Sequence, residues 1–238
     1  MPRRPRHTLR GVAFHVMNRA VRGTNLFETQ GDFDAFSRIL REELYGSRAE
    51  ILSYVVMRNH WHFVMTCDRI ADLSTLMHDF EGRHANNWAG AHNARGKGYV
   101  YQGRFKAIPI QTSHSLFRVC RYVERNALRQ NLVGAAEDWA WGSLHARCNN
   151  YYPIPLATWP ILPPANWVEL VNTPQTEEEL ADLRVRINRD QPIGDPKWVE
   201  AVAPFVGLTL RPAGRPKKRS PAPSPYQRIS LPSRCDRC

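Results

Sequence analysis

Two β-rich runs separated by only two residues constrain this chain most. Glu50-Ile51-Leu52-Ser53-Tyr54-Val55-Val56-Met57 and His60-Trp61-His62-Phe63-Val64-Met65-Thr66-Cys67 flank Arg58-Asn59. β-branched and aromatic side chains dominate both runs. A connection this short joins antiparallel neighbours, so the pair reads as a hairpin. Upstream, residues 11–18 alternate Val12, Phe14 and Val16 against Ala13, His15 and Met17, the period of a strand. Residues 31–46 place Phe33, Phe36, Ile39, Leu40 and Leu44 at helical spacing, and residues 72–90 do the same with Leu73, Leu76, Met77 and Phe80. Residues 93–103 are polar, with Gly96, Gly98 and Gly103, and read as a loop. A short strand follows over 104–111, where Pro109 confines it to an edge or a bulge. Thr112 or Ser113 caps a helix that runs to about residue 130, with Leu116, Val119, Cys120 and Val123 on one face.

The order is β-α-β-β-α-β-α over residues 10–130. That is the ferredoxin-like, RRM-like alternation plus one helix: an α+β fold with an antiparallel sheet and helices on one face. The chain reads as residues 1–147 forming the main domain with a basic N-terminal arm, 148–210 forming an accessory region, and 211–238 forming a tail. Residues 137–165 are rich in Trp and Pro and irregular. Residues 174–208 predict two short helices, the first opened by Thr173-Pro174 or Thr176. The Pro-, Arg- and Ser-rich tail reads as disordered.

With 238 residues, 42% of them hydrophobic, the chain can build a core without disulfides. It holds no apolar run long enough for a membrane helix, and its basic opening leads into no apolar signal segment. Five cysteines, with Cys67, Cys120 and Cys148 scattered, fit a reduced, cytoplasmic protein. Cys235 and Cys238 are either half of a zinc site or part of a frayed end.

The net charge of +11 is localised. The first 22 residues hold six arginines and no acid, and residues 211–238 hold eight basic residues against Asp236 alone. Inside the patterned region, residues 83–129 carry nine basic residues and one acid, Glu124, while the segments on either side are acidic. Basic blocks in an acidic background suit a phosphate backbone, although the two ends alone also read as solvated tails.

Chemistry concentrates in two places. On a strand, His60 and His62 point to one face and Trp61, Phe63 and Met65 to the other, into the core. The two imidazoles are half of a metal site, or a pair of hydrogen-bonded core histidines. On the later helix, Tyr122 and Asn126 share a face, and Arg118, Arg121, Arg125 and Arg129 recur along it. A phenol, an amide and guanidiniums suit attack on a phosphodiester, whereas a tyrosine taken alone also reads as a boundary aromatic.

Five motifs in order then resemble one family. They are Phe14-His15-Val16-Met17-Asn18-Arg19, Met57-Arg58-Asn59-His60-Trp61-His62, Tyr101-Gln102-Gly103-Arg104-Phe105-Lys106, Cys120-Arg121-Tyr122-Val123-Glu124-Arg125-Asn126 and Asp138-Trp139-Ala140-Trp141-Gly142-Ser143. The chain resembles the REP-associated tyrosine transposases, relatives of the IS200-like single-strand transposases with an HUH motif. The resemblance covers residues 2–147. It departs from the family pattern at Arg58 and at Ala127, where the family carries proline. It implies His60, His62 and Asn126 as ligands of Mg²⁺ or Mn²⁺ and Tyr122 as the nucleophile.

The reaction implied is cleavage and rejoining of single-stranded DNA at palindromic hairpins through a 5′-phosphotyrosine, without a nucleotide cofactor, by a monomer or homodimer. Arg104, Lys106, Arg121, Arg125 and Arg129 are expected on the DNA backbone, with Arg95 and Lys97 clamping from the loop. Arg3, Arg4 and Arg6 are expected to reach the hairpin. Arg215, Lys217 and Lys218 form either an AT-hook-like minor-groove element or a generic basic tail. Two other readings remain: a DNA-binding protein of the same fold that does not cut, and a zinc hydrolase built on His60 and His62.

Overall fold

The computed structural model describes residues 12–21 and 24–206. Among the described residues, four strands form one antiparallel sheet in the order β2-β3-β1-β4: β1 (Ala13–Arg19), β2 (Ala49–Met57), β3 (His60–Cys67) and β4 (Lys106–Ile110). The expected hairpin joins β2 to β3 through Arg58-Asn59 and pairs Met57 with His60. Helix α1 (Gln30–Leu44) links β1 to β2, and α2 (Ile70–Ala91) links β3 to β4. This is the ferredoxin-like order read from the sequence.

Helices cover both faces, and not one face as expected. Phe14, Val16, Trp61, Phe63 and Met65 pack with Phe36, Leu40, Leu73 and Phe80 of α1 and α2. Ala13, Val55, Val64, Ile108 and Ile110 pack on the other face with α3 (His114–Glu124). The reason lies in β2, whose residues are buried on both sides at all but one position. A strand apolar on both faces needs two covering layers.

The β2–β3 register shifts between Ile51 and Ser53. This bulge changes which face the side chains meet. Ile51 and Tyr54, three residues apart, join the α1/α2 core, while Leu52 joins the α3 core and Ser53 bonds to Glu124 of α3.

Local signals explain the helix ends. Thr29 and Asp32 form a capping box on α1, and Ser113 accepts from the Ser115 N–H at the start of α3. The helix does run on past Glu124: Arg125 has helical angles, and a short α4 (Asn126–Arg129) follows. Beyond lie α5 (Ser143–Cys148), α6 (Trp167–Asn172), α7 (Glu177–Asn188) and α8 (Pro196–Val202). Thr176 caps α7 through a box with Glu179. Two of these elements, α5 and α6, fall outside the helices expected from the sequence.

The later segments are built into the sheet's surroundings. Trp167, Val171, Leu180, Leu183, Ile187 and Ile193 belong to the same buried cluster as Ile108 and Val119. The Ile193 N–H donates to the Pro109 carbonyl at 2.8 Å, and the Gln111 N–H donates to the Ile193 carbonyl at 2.8 Å. On the β2 side, the Ala157 N–H donates to Ile51 and the Val56 N–H to Trp141. Among the described residues, no helix is long and apolar enough to cross a membrane.

Candidate active site

The α3 face of the sheet carries the polar residues that β-strand parity dictates. His15 on β1 and His60 and His62 on β3 lie among apolar neighbours on this face. His15 pairs directly with Val64, so His62 is its diagonal neighbour. The His15 Nε2 lies 3.0 Å from the His62 Nδ1, and the two rings stack at 5.0 Å. The His60 Nδ1 donates to the Asn59 Oδ1 at 2.7 Å. The His60 and His62 rings stand 5.1 Å apart and nearly perpendicular. Burial holds all three imidazoles neutral at physiological pH. It draws His15 down to about 3 and His60 to about 4, where the Arg129 and Arg19 charges add to the effect; His62 is held well below the usual range.

Helix α3 brings Tyr122 over these rings. The Tyr122 ring meets His62 edge-on at 6.1 Å and His15 at 6.2 Å, and only 9% of the residue is exposed. The Arg129 guanidinium lies 4.1 Å above the Tyr122 ring, and its Nη1 donates to the Tyr122 carbonyl at 3.2 Å. Asn126 is buried one turn further on, where its Oδ1 accepts from the Gln130 Nε2 at 2.8 Å.

A cleft of about 990 Å³ opens beside this cluster. His60, His62, Asn59, Gln102, Arg104, Lys106 and Gln130 line it, with Ile187 and Asn188 at the end of α7. Neither Tyr122 nor Asn126 is among the described residues of its lining. Asn18 shapes one edge: its Nδ2 donates to the Gly103 carbonyl at 2.9 Å and to Glu81 at 2.7 Å. Gly103 has φ +148°, a conformation that side chains other than glycine's disfavour.

Several cations expected on DNA are engaged within the chain. The Arg125 Nη1 donates to the carbonyls of Val171, at 2.9 Å, and Asn172; the Arg121 Nη2 donates to those of Thr173, at 2.7 Å, and Pro174. Both guanidiniums thus serve the orphan carbonyls at the C-terminus of α6. Lys106 pairs with Asp190 at 2.9 Å, although it still lines the cleft. Arg104 is exposed on the cleft, and Arg95 and Lys97 are exposed in the loop. Arg3, Arg4, Arg6, Arg215, Lys217, Lys218 and the Cys235/Cys238 pair lie outside the described residues.

Sequence reasoning missed three contributors: His15, Gln130 and Glu124. Glu124 is buried at the C-terminal end of the tyrosine helix itself. Its Oε1 accepts from Ser53, Ser143 and Arg147 at 3.1, 2.5 and 2.6 Å, and its Oε2 accepts from the Trp167 Nε1 at 2.7 Å. The signal was present, since Glu124 is the lone acid of the basic block.

The family described as IS200-like transposase matches residues 8–126. Among solved structures, a REP-associated tyrosine transposase bound to a REP hairpin shares the fold, with a TM-score of 0.51 and 18% identity; the match covers 66% of this chain and 92% of that one. No curated protein matches the chain.

Proposed function

The chain belongs to the IS200-like transposase family, and from that premise we propose that it cuts and rejoins single-stranded DNA at hairpins through Tyr122. The observation that carries this reading is the Tyr122 ring set against His62 beneath Arg129. A phosphate drawn to the Arg129 guanidinium arrives beside the phenol. The Tyr122 oxygen attacks the phosphorus, the bond to the 3′-oxygen breaks, and a 5′-phosphotyrosine and a 3′-hydroxyl result. The phenol gives up one proton and the 3′-oxygen gains one. The covalent link retains the bond energy, so a 3′-hydroxyl can reverse the step without a nucleotide. Arg129 balances the negative charge that develops on the phenol and the phosphate.

The donor set fits a divalent cation of the Mg²⁺ or Mn²⁺ type. His60 and His62 have their Nδ1 atoms engaged by Asn59 and His15, which leaves each Nε2 as the second ring nitrogen. Asn126 adds an amide oxygen that carries a single hydrogen bond from Gln130. Among the described residues no three His, Cys, Asp or Glu are placed to share a metal, since His15 meets His62 at the His62 Nδ1, and this disfavours a zinc hydrolase. A cation held by His60, His62 and Asn126 would polarise the scissile phosphate and neutralise part of its charge. Arg104 and Lys106 supply backbone contacts in the cleft, with Asp190 giving way to phosphate at Lys106. The structural neighbour's REP hairpin supports hairpin DNA as the substrate class.

The test uses labelled single-stranded hairpin DNA and Mg²⁺ or Mn²⁺. The wild-type chain forms a protein–DNA adduct that survives denaturation, and Tyr122→Phe forms none. Binding without adduct on every hairpin tried would instead identify a non-cleaving DNA-binding protein of this fold.

A further inference from the structure

His15 stands where an apolar residue would serve the core better. It sits on β1, one of the two inner strands, is fully buried, and pairs across the sheet with Val64 on one side and Ile108 on the other. Its Nδ1 has no hydrogen-bond partner among the described residues. A buried imidazole with one nitrogen unpaired is costly, and a hydrophobic side chain there would avoid that cost. Among the described residues, its side chain bonds to the His62 Nδ1, at 3.0 Å.

That bond has two proton placements. If His15 donates from Nε2, His62 accepts at Nδ1, carries its proton on Nε2 and has no lone pair there. If His62 donates from Nδ1, its Nε2 is left as a lone pair, and His15 carries its own proton on the unpartnered Nδ1. Only the second placement makes His62 a ligand. We propose that His15 is the positioning residue of this site: it accepts the Nδ1 proton of His62, and by doing so fixes the tautomer and the ring orientation in which His62 can bind a divalent cation. The proposal rests on the reading of His62 as a ligand. Asn59 serves His60 in the same way from a neighbouring position, but with an amide oxygen that can only accept. His15 can accept or donate, so the His62 tautomer depends on which role His15 takes.

The experiment compares wild type, His15→Phe, which keeps a ring but loses the acceptor, and His15→Gln, which restores an oxygen acceptor. Mn²⁺ affinity is measured by calorimetry without DNA, with His62→Ala as the reference. Nitrogen-15 NMR of the metal-free chain reads the protonated nitrogen of each histidine. We expect the His62 proton on Nδ1, Mn²⁺ binding weakened about 10–100-fold in His15→Phe, and most of it regained in His15→Gln. Unchanged Mn²⁺ affinity in His15→Phe, or a His62 proton on Nε2 in the wild type, overturns the proposal. If wild type binds Mn²⁺ no better than His62→Ala, the ligand reading has failed, and the NMR spectrum alone decides whether His15 sets the tautomer. Should His15→Phe fail to fold, the wild-type spectrum and His15→Gln still decide.

Discussion

Replacing Glu124 by glutamine keeps the volume of a buried side chain and removes its charge. The carboxylate has four donors around it and no donor of its own: Ser53, Ser143 and Arg147 on Oε1, and Trp167 on Oε2. Glutamine can satisfy one side only. With its oxygen toward the serines and Arg147, its NH₂ faces the Trp167 N–H, and a buried donor is orphaned at about 1–3 kcal/mol. Arg147 also loses its partner charge. The guanidinium keeps 28% of its side chain exposed, so that loss is the smaller part. The expected destabilisation is about 3 kcal/mol, or roughly 6–12 °C in Tm for a chain of this length. Thermal and urea unfolding measure it, and a double mutant isolates the cause. Trp167→Phe removes the opposing donor, so Glu124→Gln/Trp167→Phe should be more stable than the two single losses predict, by about 1–2 kcal/mol. A Glu124→Gln midpoint within 2 °C of wild type, or strict additivity of the two changes, would refute the reasoning.

Two further outcomes follow from the geometry. Burial pulls His84 down to about 4, and its Nδ1 is hydrogen-bonded to the Tyr101 hydroxyl at 2.8 Å. The unfolded chain therefore takes up that proton first. Its share of stability is intact above pH 6.5 and falls as the pH drops toward 4, by up to about 1.4 kcal/mol per pH unit. Because His15, His60 and His62 act in the same direction, urea titrations at pH 7, 6 and 5 should show a shallower slope in His84→Gln than in wild type; equal slopes would count against it. Arg125→Ala leaves the Val171 and Asn172 carbonyls without their guanidinium, and amide exchange over 171–176 should quicken about tenfold or more. The same variant should leave the salt dependence of DNA binding unchanged, whereas Arg104→Ala should lower its slope by about one; the reverse pattern would put Arg125 on the DNA.

What the sequence made legible was whatever a local period or a short motif can carry. Residue alternation located β1 and β3 and separated Trp61 from His60 and His62, because parity on a strand is a local property. Pro109 predicted an edge, and β4 is one: the position that lacks an N–H faces away from β1, and its carbonyl meets Ile193. His15 stayed hidden because its meaning comes from a diagonal contact between strands 47 residues apart. The arginines of α3 were visible as a repeat, but periodicity cannot say whether a guanidinium meets phosphate or the end of α6. Helices α5 and α6, six residues each, are too short for a period to show. The second covering layer was missed for the same reason, since residues far along the chain supply much of it.

Both borders of the sheet are covered in part by the chain's own later segments. Ile193 occupies backbone positions on β4, and Trp141 and Ala157 occupy positions on β2. Unpaired borders are where β-proteins polymerise, by adding one molecule's strand to the next. At these positions such growth would first have to peel away a segment that also packs into the core. The backbone groups of Ile51, Val56, Pro109 and Gln111 are thereby taken within the chain, and a second copy's strand cannot pair with them until those segments leave.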